Sequence, residues 1–406
     1  MRAVKALLLE NIHPEATRIL TAKGYEVLTQ TKALGEADLI AALEGVDLLG
    51  IRSATSVTQA VLEAPTTSLT AIGAFCIGTN QIDLPAAAAY GVPVFNAPYS
   101  NTRSVVELAI GEIICLARRL MEKDGQMHDG VWDKSAKGSH EIRGRTLGIV
   151  GYGNIGSQLS VIAEAMGMRV VFYDIADKLA LGNAHRMNSL EELLDEAECV
   201  SLHVDGRPEN AGFFGEAEFA RMRPRSLFLN LCRGPVVDVD ALVAHLESGH
   251  IAGAALDVFP TEPKRAGEPF DSPLRGVPNV ILTPHVGGST QEAQFDIGRF
   301  VAHKLAEYAE TGSTGMCVNL PQVQPLGEGG ARVVHLHRNV PGVMARLNSI
   351  LARYGLNIGA QTLATMGDLG YSVTDLCGAD FDGLLAELEA MDETVRVRVL
   401  GVRGDR

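Results

Sequence analysis

Residues 147–156 read Leu147-Gly148-Ile149-Val150-Gly151-Tyr152-Gly153-Asn154-Ile155-Gly156. A short apolar run feeds straight into three glycines, and an amphipathic stretch continues to Ala165. That order spells strand, tight turn, helix. Gly151 permits the turn, Gly153 lets the backbone approach a ligand, and Gly156 lets the helix pack on the strand. The helix start, with Asn154 and Ile155, offers free N–H groups and a partial positive charge to phosphate. The next apolar run, Val170-Val171-Phe172-Tyr173, ends at Asp174. An acid there binds both ribose hydroxyls and repels a 2′-phosphate. A glycine triplet alone arises by chance. Strand, turn, helix, strand and acid in sequence point to NAD.

Outward from this unit, short apolar runs alternate with amphipathic ones. Upstream, strands are expected at 5–9, 25–28, 48–51 and 70–72, with helices at 14–23 and 36–43. Downstream, strands are expected at 199–202, 227–230, 253–256 and 280–282. Such alternation argues for parallel sheets covered on both faces. Between the two series, Ser104 and Glu107 have capping-box spacing at the head of a long helix. The texture changes after residue 318. Pro321, Pro325, Gly327, Gly329 and Gly330 suggest a linker, and the remainder reads β-α-β-β-α-β, a small α+β unit. Asn339 is placed to cap its first helix, with Pro341 in the first turn and Gly355 at the end.

With 406 residues the chain is too long for one hydrophobic core. Its net charge of −14 repels nucleic acid and anionic membranes, so neither is expected as a partner. A small anionic substrate then needs a local cluster of cations. The six cysteines form no CxxC pair and no His-spaced cluster, so no metal is expected. Cys115, Cys199 and Cys377 fall in apolar runs and are expected to be buried free thiols in a reducing, cytoplasmic compartment. The first apolar run is too short for a signal peptide, and no run approaches the roughly 20 residues that span a bilayer.

Three charged residues stand at or just past expected strand ends, where open α/β sheets bind ligands. Arg233 follows Leu229-Asn230-Leu231-Cys232, Glu262 lies in Asp257-Val258-Phe259-Pro260-Thr261-Glu262-Pro263, and His285 closes Leu282-Thr283-Pro284-His285. Oxidising a secondary alcohol with NAD requires a base for the hydroxyl proton and a cation to fix the neighbouring carboxylate. Histidine titrates nearest neutral pH. A buried carboxylate beside it fixes the tautomer and favours the imidazolium, and arginine can hold a carboxylate by two parallel hydrogen bonds. Singly, each has a plainer reading: Arg233 paired with Asp238, Glu262 a loop carboxylate, His285 a helix cap. Together, beside a dinucleotide fold, they form a catalytic set.

The segments 231–238, 257–263 and Thr283-Pro284-His285-Val286-Gly287-Gly288-Ser289-Thr290 resemble signatures of the D-2-hydroxy acid dehydrogenases. Segments 75–83, 96–105 and Gly130-Val131-Trp132-Asp133-Lys134 resemble the branch of that family acting on 3-phospho-D-glycerate, and the likeness extends through a C-terminal ACT domain. The resemblance implies an α/β chain with two doubly wound, Rossmann-like parallel-sheet domains, the first discontinuous, plus the α+β ACT domain. Residues 1–100 and 288–329 would bind substrate, 101–287 NAD, and 330–406 would regulate. It further implies oxidation of 3-phospho-D-glycerate to 3-phosphohydroxypyruvate, the first step of serine synthesis. His285 is then the acid/base, Glu262 its partner and Arg233 the orienting cation. Cys232 and Asp257 match positions at the cofactor. Arg52, Ser53, Asn101 and Gln294 match substrate contacts, and Lys134 matches a residue reaching a neighbouring subunit. His337, Asn339 and Asn357 match positions that bind L-serine as an effector at a dimer edge, in a homodimer or homotetramer.

The chain departs from the family pattern at Ala54, where a second basic residue is expected, and at Cys232, Asp205 and Arg338. Two other functions therefore stand beside the first: a dehydrogenase for another 2-hydroxy or 2-oxo acid such as 2-oxoglutarate, and a non-catalytic NAD-sensing protein.

Overall fold

The computed structural model describes residues 3–263, 267–327, 331–377 and 383–401. The chain forms two compact units, Met1–Ser100 with Gln294–Arg406, and Asn101–Ala293. It returns to the first unit at Gln294, within the helix Gln291–Thr311, rather than at 288.

In the first unit, β1 (Lys5–Leu8), β2 (Glu26–Thr29), β3 (Leu48–Ile51), β4 (Ala71–Ala74) and β5 (Val94–Phe95) form a parallel sheet ordered β2-β1-β3-β4-β5. Strands β3 and β4 are buried at every position, so they read as unbroken apolar runs. The order reverses between β1 and β3. That gap, at the carboxyl ends of the strands, is where open sheets of this kind hold ligands.

The second unit holds β6 (Thr146–Val150), β7 (Arg169–Tyr173), β8 (His185–Arg186), β9 (Cys199–Leu202), β10 (Ser226–Asn230), β11 (Ile251–Leu256) and β12 (Val280–Leu282). All pair in parallel, in the order β12-β11-β10-β9-β6-β7-β8, and the reversal falls between β6 and β9. Ile113, Leu116, Leu159 and Ala163 from two helices cover one set of strand side chains, and a Phe214, Phe219, Phe228 cluster lies in the other core. The helix Thr102–Arg118 starts two residues before Ser104, so the expected capping box does not form. Ser104 instead shares a 2.8 Å hydrogen bond with Thr290, and Glu107 pairs with Arg103. The polar stretch that follows holds a helix, Leu120–His128, without a buried residue.

The last four strands are β13 (Ala331–Arg338), β14 (Asn357–Met366), β15 (Leu369–Cys377) and β16 (Thr394–Leu400), in the antiparallel order β14-β15-β13-β16. Leu347, Ile350, Leu351, Leu384 and Leu388 from two helices pack with Val333, Leu376 and Val397. Val334, Leu336, Tyr371 and Val373 join the core of Phe95, Leu305 and Tyr308, which is why this sheet falls in the first unit. The Tyr371 hydroxyl donates to Gly312 O at 2.6 Å, and Arg332 pairs with Asp375 and donates to Thr311 O.

Three local expectations need correction here. The helix Val343–Arg353 is preceded by Gly342 in the left-handed conformation (φ 91°), so Asn339 does not cap it and donates instead to Gly367 O. The expected linker is tied down over 321–323: Thr314 Oγ1 donates to Pro321 O and accepts from Val323 N, while Gly329 and Gly330 lie outside the described residues. None of the six cysteines is joined in a disulfide, but only Cys199 of the three expected inside is buried; Cys115 is half-buried and Cys377 exposed. Among the described residues, no helix is long and apolar enough to cross a membrane.

Candidate active site

At the end of β6 the backbone turns through Gly151 at φ 93°, which disfavours any residue with a Cβ. A Cβ there would lie 2.6 Å from His203 O, and one on Gly156 would lie 2.2 Å from Gly151 O. Packing therefore demands both glycines. Gly153 differs: a Cβ would meet nothing within 4 Å, so its absence leaves open space. Asn154 and Ile155 begin the helix Asn154–Ala165, which no side chain caps. An open cradle at an uncapped helix start suits a diphosphate. Asp174 accepts from Tyr152 N and Ala176 N, each at 2.8 Å and on a different oxygen, which fixes the carboxylate while leaving lone pairs for ribose hydroxyls. A cleft of about 410 Å³ runs past Gly151, Gly153, Asp174, Ile175 and His203. Burial drives the His203 pKa down to about 4, so this imidazole is neutral. These residues fit NAD.

The three charged candidates fall in one unit. His285 Nδ1 and Glu262 Oε2 are 2.8 Å apart. The hydrogen bond that His285 donates to Glu262 raises the His285 pKa above its ordinary value, with burial opposing. For Glu262 burial acts upward, but the bonds from His285 and the Phe259 amide leave its pKa lowered overall. The carboxylate was expected to be buried; its side chain is 35% exposed and that of His285 52%. The pair therefore depends on its hydrogen bond rather than on exclusion from water. His285 itself sits at φ 53°, a strained conformation for a residue with a side chain. Asp257 holds it there. Buried at 2% exposure, Asp257 accepts from Thr283 Oγ1, Val286 N and Gly287 N, while its carbonyl accepts from His285 N. Asp257, expected at the cofactor, commits its carboxylate to the histidine loop.

Arg233 does not pair with Asp238, which caps the helix Val239–Glu247 through Ala241 N. Its Nη1 donates to Cys232 O at 2.6 Å, and its stem passes where a Cβ on Gly206 would be 3.0 Å away. Cys232 is buried against Asn230 Oδ1, and burial pushes its thiol up to about 11, so it fills space and is not a reactive thiol. Asn101 packs on Gly288, where a Cβ would be 2.2 Å from its amide nitrogen. Lys134 lies over the exposed ring of Trp132 at 5.7 Å and is brought to none of the other candidates within its unit.

Arg52, Ser53 and Gln294 belong to the other unit. Arg52 and Ser53 directly follow β3, at the strand-order reversal of the first sheet. A residue missed in the sequence shapes this loop. Glu10, at φ 61° just past β1, accepts from Arg52 N at 3.1 Å, Thr55 N at 2.9 Å and Ala54 N at 2.9 Å. Glu112 was missed as well. It is 3% exposed with neither oxygen hydrogen-bonded, and burial, then the Asp257 charge, lifts its pKa to about 8. An acidic residue within the apolar run of helix 102–118 was the available signal. In the four-stranded antiparallel sheet His337 is buried, with Nδ1 bonded to Arg338 O and Nε2 unpartnered, whereas Asn339 and Asn357 are exposed. His337 pairs with Gly370 and Asn357 with Cys377, seven residues apart on β15 and so roughly 23 Å along the strand. One chain does not bring these candidates together.

Residues 110–287 match the family model for the D-isomer specific 2-hydroxyacid dehydrogenase NAD binding domain, and 333–396 match an AHAS small subunit-like ACT domain. The chain is 50% identical over 399 residues to the D-3-phosphoglycerate dehydrogenase of Haemophilus influenzae, covering 98% of this chain and 97% of that one. The chain belongs to the D-3-phosphoglycerate dehydrogenase family. The Escherichia coli K12 family member is 49% identical over 401 residues, at 98% and 97% coverage. Among solved structures, TT0316 from Thermus thermophilus aligns with a TM-score of 0.68 at 30% identity, covering 75% of this chain and 97% of that one. An NAD-complexed D-isomer specific 2-hydroxyacid dehydrogenase from Lactobacillus delbrueckii aligns at 0.66 and 26% identity, with the same coverage. As a member of the D-3-phosphoglycerate dehydrogenase family, the chain is an NAD-dependent oxidoreductase with two Rossmann-like domains and an ACT domain.

Proposed function

We propose that this chain oxidises 3-phospho-D-glycerate to 3-phosphohydroxypyruvate, opening serine synthesis, with His285 as acid/base, Glu262 as its partner and Arg233 as the orienting cation. The 2.8 Å contact between His285 and Glu262 carries the reading. Glu262 accepts from Nδ1, which leaves Nε2 to take the C2 hydroxyl proton in oxidation or return it in reduction. Arg233 offers the substrate carboxylate a two-pronged grip. Bound NAD supplies the hydride acceptor. Arg52, Ser53, Asn101, Gln294 and, from a second copy, Lys134 are the proposed substrate contacts.

The test is His285→Asn, expected to lower kcat by about 10² to 10⁴-fold with NADH binding retained. Unchanged turnover would refute the assignment. Its pH profile gives a second test. The base must be neutral in oxidation, so that rate rises as pH climbs through the raised His285 pKa; the imidazolium is needed in reduction, so that rate falls there. Glu262→Gln removes the anion, and both midpoints should move to lower pH. Midpoints that stay put would mean Glu262 does not set the pKa.

Ala54 supports a second reading, a substrate lacking phosphate, because its loop position carries no cation. Equal kcat/KM for 3-phosphohydroxypyruvate and hydroxypyruvate would favour it. We further propose L-serine as an effector, held by His337 and Asn339 of one copy and Asn357 of another, since their separation excludes a site within one chain. This requires at least a dimer, and the family resemblance points to a tetramer. Millimolar L-serine should slow the enzyme and Asn339→Ala should remove the effect; insensitive wild-type enzyme would overturn it. Six cysteines outside any disulfide support a cytoplasmic setting.

A further inference from the structure

A charged pair that the proposed chemistry leaves unused stands at the reversal point of the second sheet. Beyond β9, the segment His203-Val204-Asp205-Gly206-Arg207 borders the cofactor cleft, and Asp205 and Arg207 line it together with Asp174 and Lys178. Arg207 Nε donates to Asp205 Oδ1 at 2.7 Å, its Nη2 donates to Oδ2, and its backbone N lies 3.3 Å from Oδ1. Asn210 Nδ2 adds bonds to Oδ1 at 3.0 Å and to the Asp205 carbonyl at 2.9 Å. The pair is solvent-accessible, at 47% exposure for Arg207 and 57% for Asp205, so its value lies in geometry more than in stability. Arg207 also feels the charge of Asp174, the acid at the ribose end.

An arginine at this end of a dinucleotide cleft is what accommodates a 2′-phosphate. Here one is present, but both prongs of its fork are already committed to a neighbouring carboxylate. We propose that the Asp205–Arg207 pair is a second determinant of cofactor choice: Asp205 withholds the Arg207 guanidinium from a 2′-phosphate, so preference for NAD over NADP rests on the pair as well as on Asp174. The inference rests on the cleft being the NAD site. A phosphorylated ribose meets two carboxylates and a cation that must first leave its partner. Neutralising Asp205 leaves Asp174 in place and frees the fork, which matches phosphate geometry.

The test is fluorescence titration of the full-length protein with NADH and with NADPH, independent of turnover. Wild type should bind NADH more tightly. Asp205→Asn, nearly isosteric, should lower the ratio of the NADPH to the NADH Kd about tenfold, through NADPH. Adding Arg207→Gln should restore the wild-type ratio. A purely structural role would weaken both cofactors alike and leave the ratio unmoved, which would overturn the proposal; so would a gain that survives in the double variant. Wild-type protein that binds neither nucleotide would refute the site itself, whereas NADH binding with an unmoved ratio refutes only the pair's role.

Discussion

The two parallel sheets solve the same turn in opposite ways. Each has a residue in the left-handed conformation shortly after its first central strand, beside the point where strand order reverses. After β6 that residue is Gly151, and the turn beyond it leaves an open cradle at Gly153. After β1 it is Glu10, whose own carboxylate accepts the amides of Arg52, Ala54 and Thr55. One turn keeps its donors open for a ligand's anion, and the other supplies an anion to the donors of the loop that follows β3. Shared topology fixes where a ligand binds; the turn residue decides whether backbone or side chains do the holding.

The largest expected effect breaks the first turn. Gly151→Ala combines a left-handed backbone with a Cβ placed 2.6 Å from His203 O. It should cost about 3 kcal/mol in urea unfolding and weaken NADH binding at least about a hundredfold. Normal NADH affinity in a folded variant would show that the cradle is not what holds the nucleotide. Glu10→Ala should come next, freeing the 52–55 loop. The expectation is a rise of about tenfold in KM for 3-phospho-D-glycerate with NADH affinity unchanged, and a loss of about 1–2 kcal/mol in stability. Partial recovery in Glu10→Gln would sharpen the assignment, and a fall in NADH affinity would contradict it. A smaller effect belongs to Gly206→Ala, whose methyl would press on the Arg233 stem; roughly a threefold drop in kcat/KM is expected from mild displacement. Smallest is Cys232→Ser, within about 1 kcal/mol, because the thiol serves as filler. Thiol alkylation of the native protein should mark exposed Cys377 well before Cys232.

What could be read from the sequence was local. Gly151, Gly153, Gly156 and Asp174 declare themselves because strand, turn, helix and acid follow one another within one βαβ unit. Arg233, Glu262 and His285 were legible because each lies a few residues beyond a recognisable strand, and the sheet then carries them into one unit. Contacts made across long sequence distances were not. Nothing near Glu10 hints at the amides of Arg52, Ala54 and Thr55, and nothing near Asp257 shows that its carboxylate turns to a loop beyond the next strand. Capping was misread twice for a different reason. Ser104 has the right neighbours but the helix begins at Thr102, and Asn339 is pre-empted by Gly342, whose left-handed backbone starts the helix later. His337 and Asn357 read as one set, but their positions on the four-stranded sheet keep them apart.

Glu10 also bears on how substrate preference can change over time. With the amides of Arg52, Ala54 and Thr55 already engaged, a ligand group that reached this loop would find those three donors taken and would depend on side chains for its recognition. Recognition of that kind is retuned by single replacements that leave the main chain alone. Ala54 stands where a basic residue is expected, keeps its amide on Glu10 and presents no cation of its own.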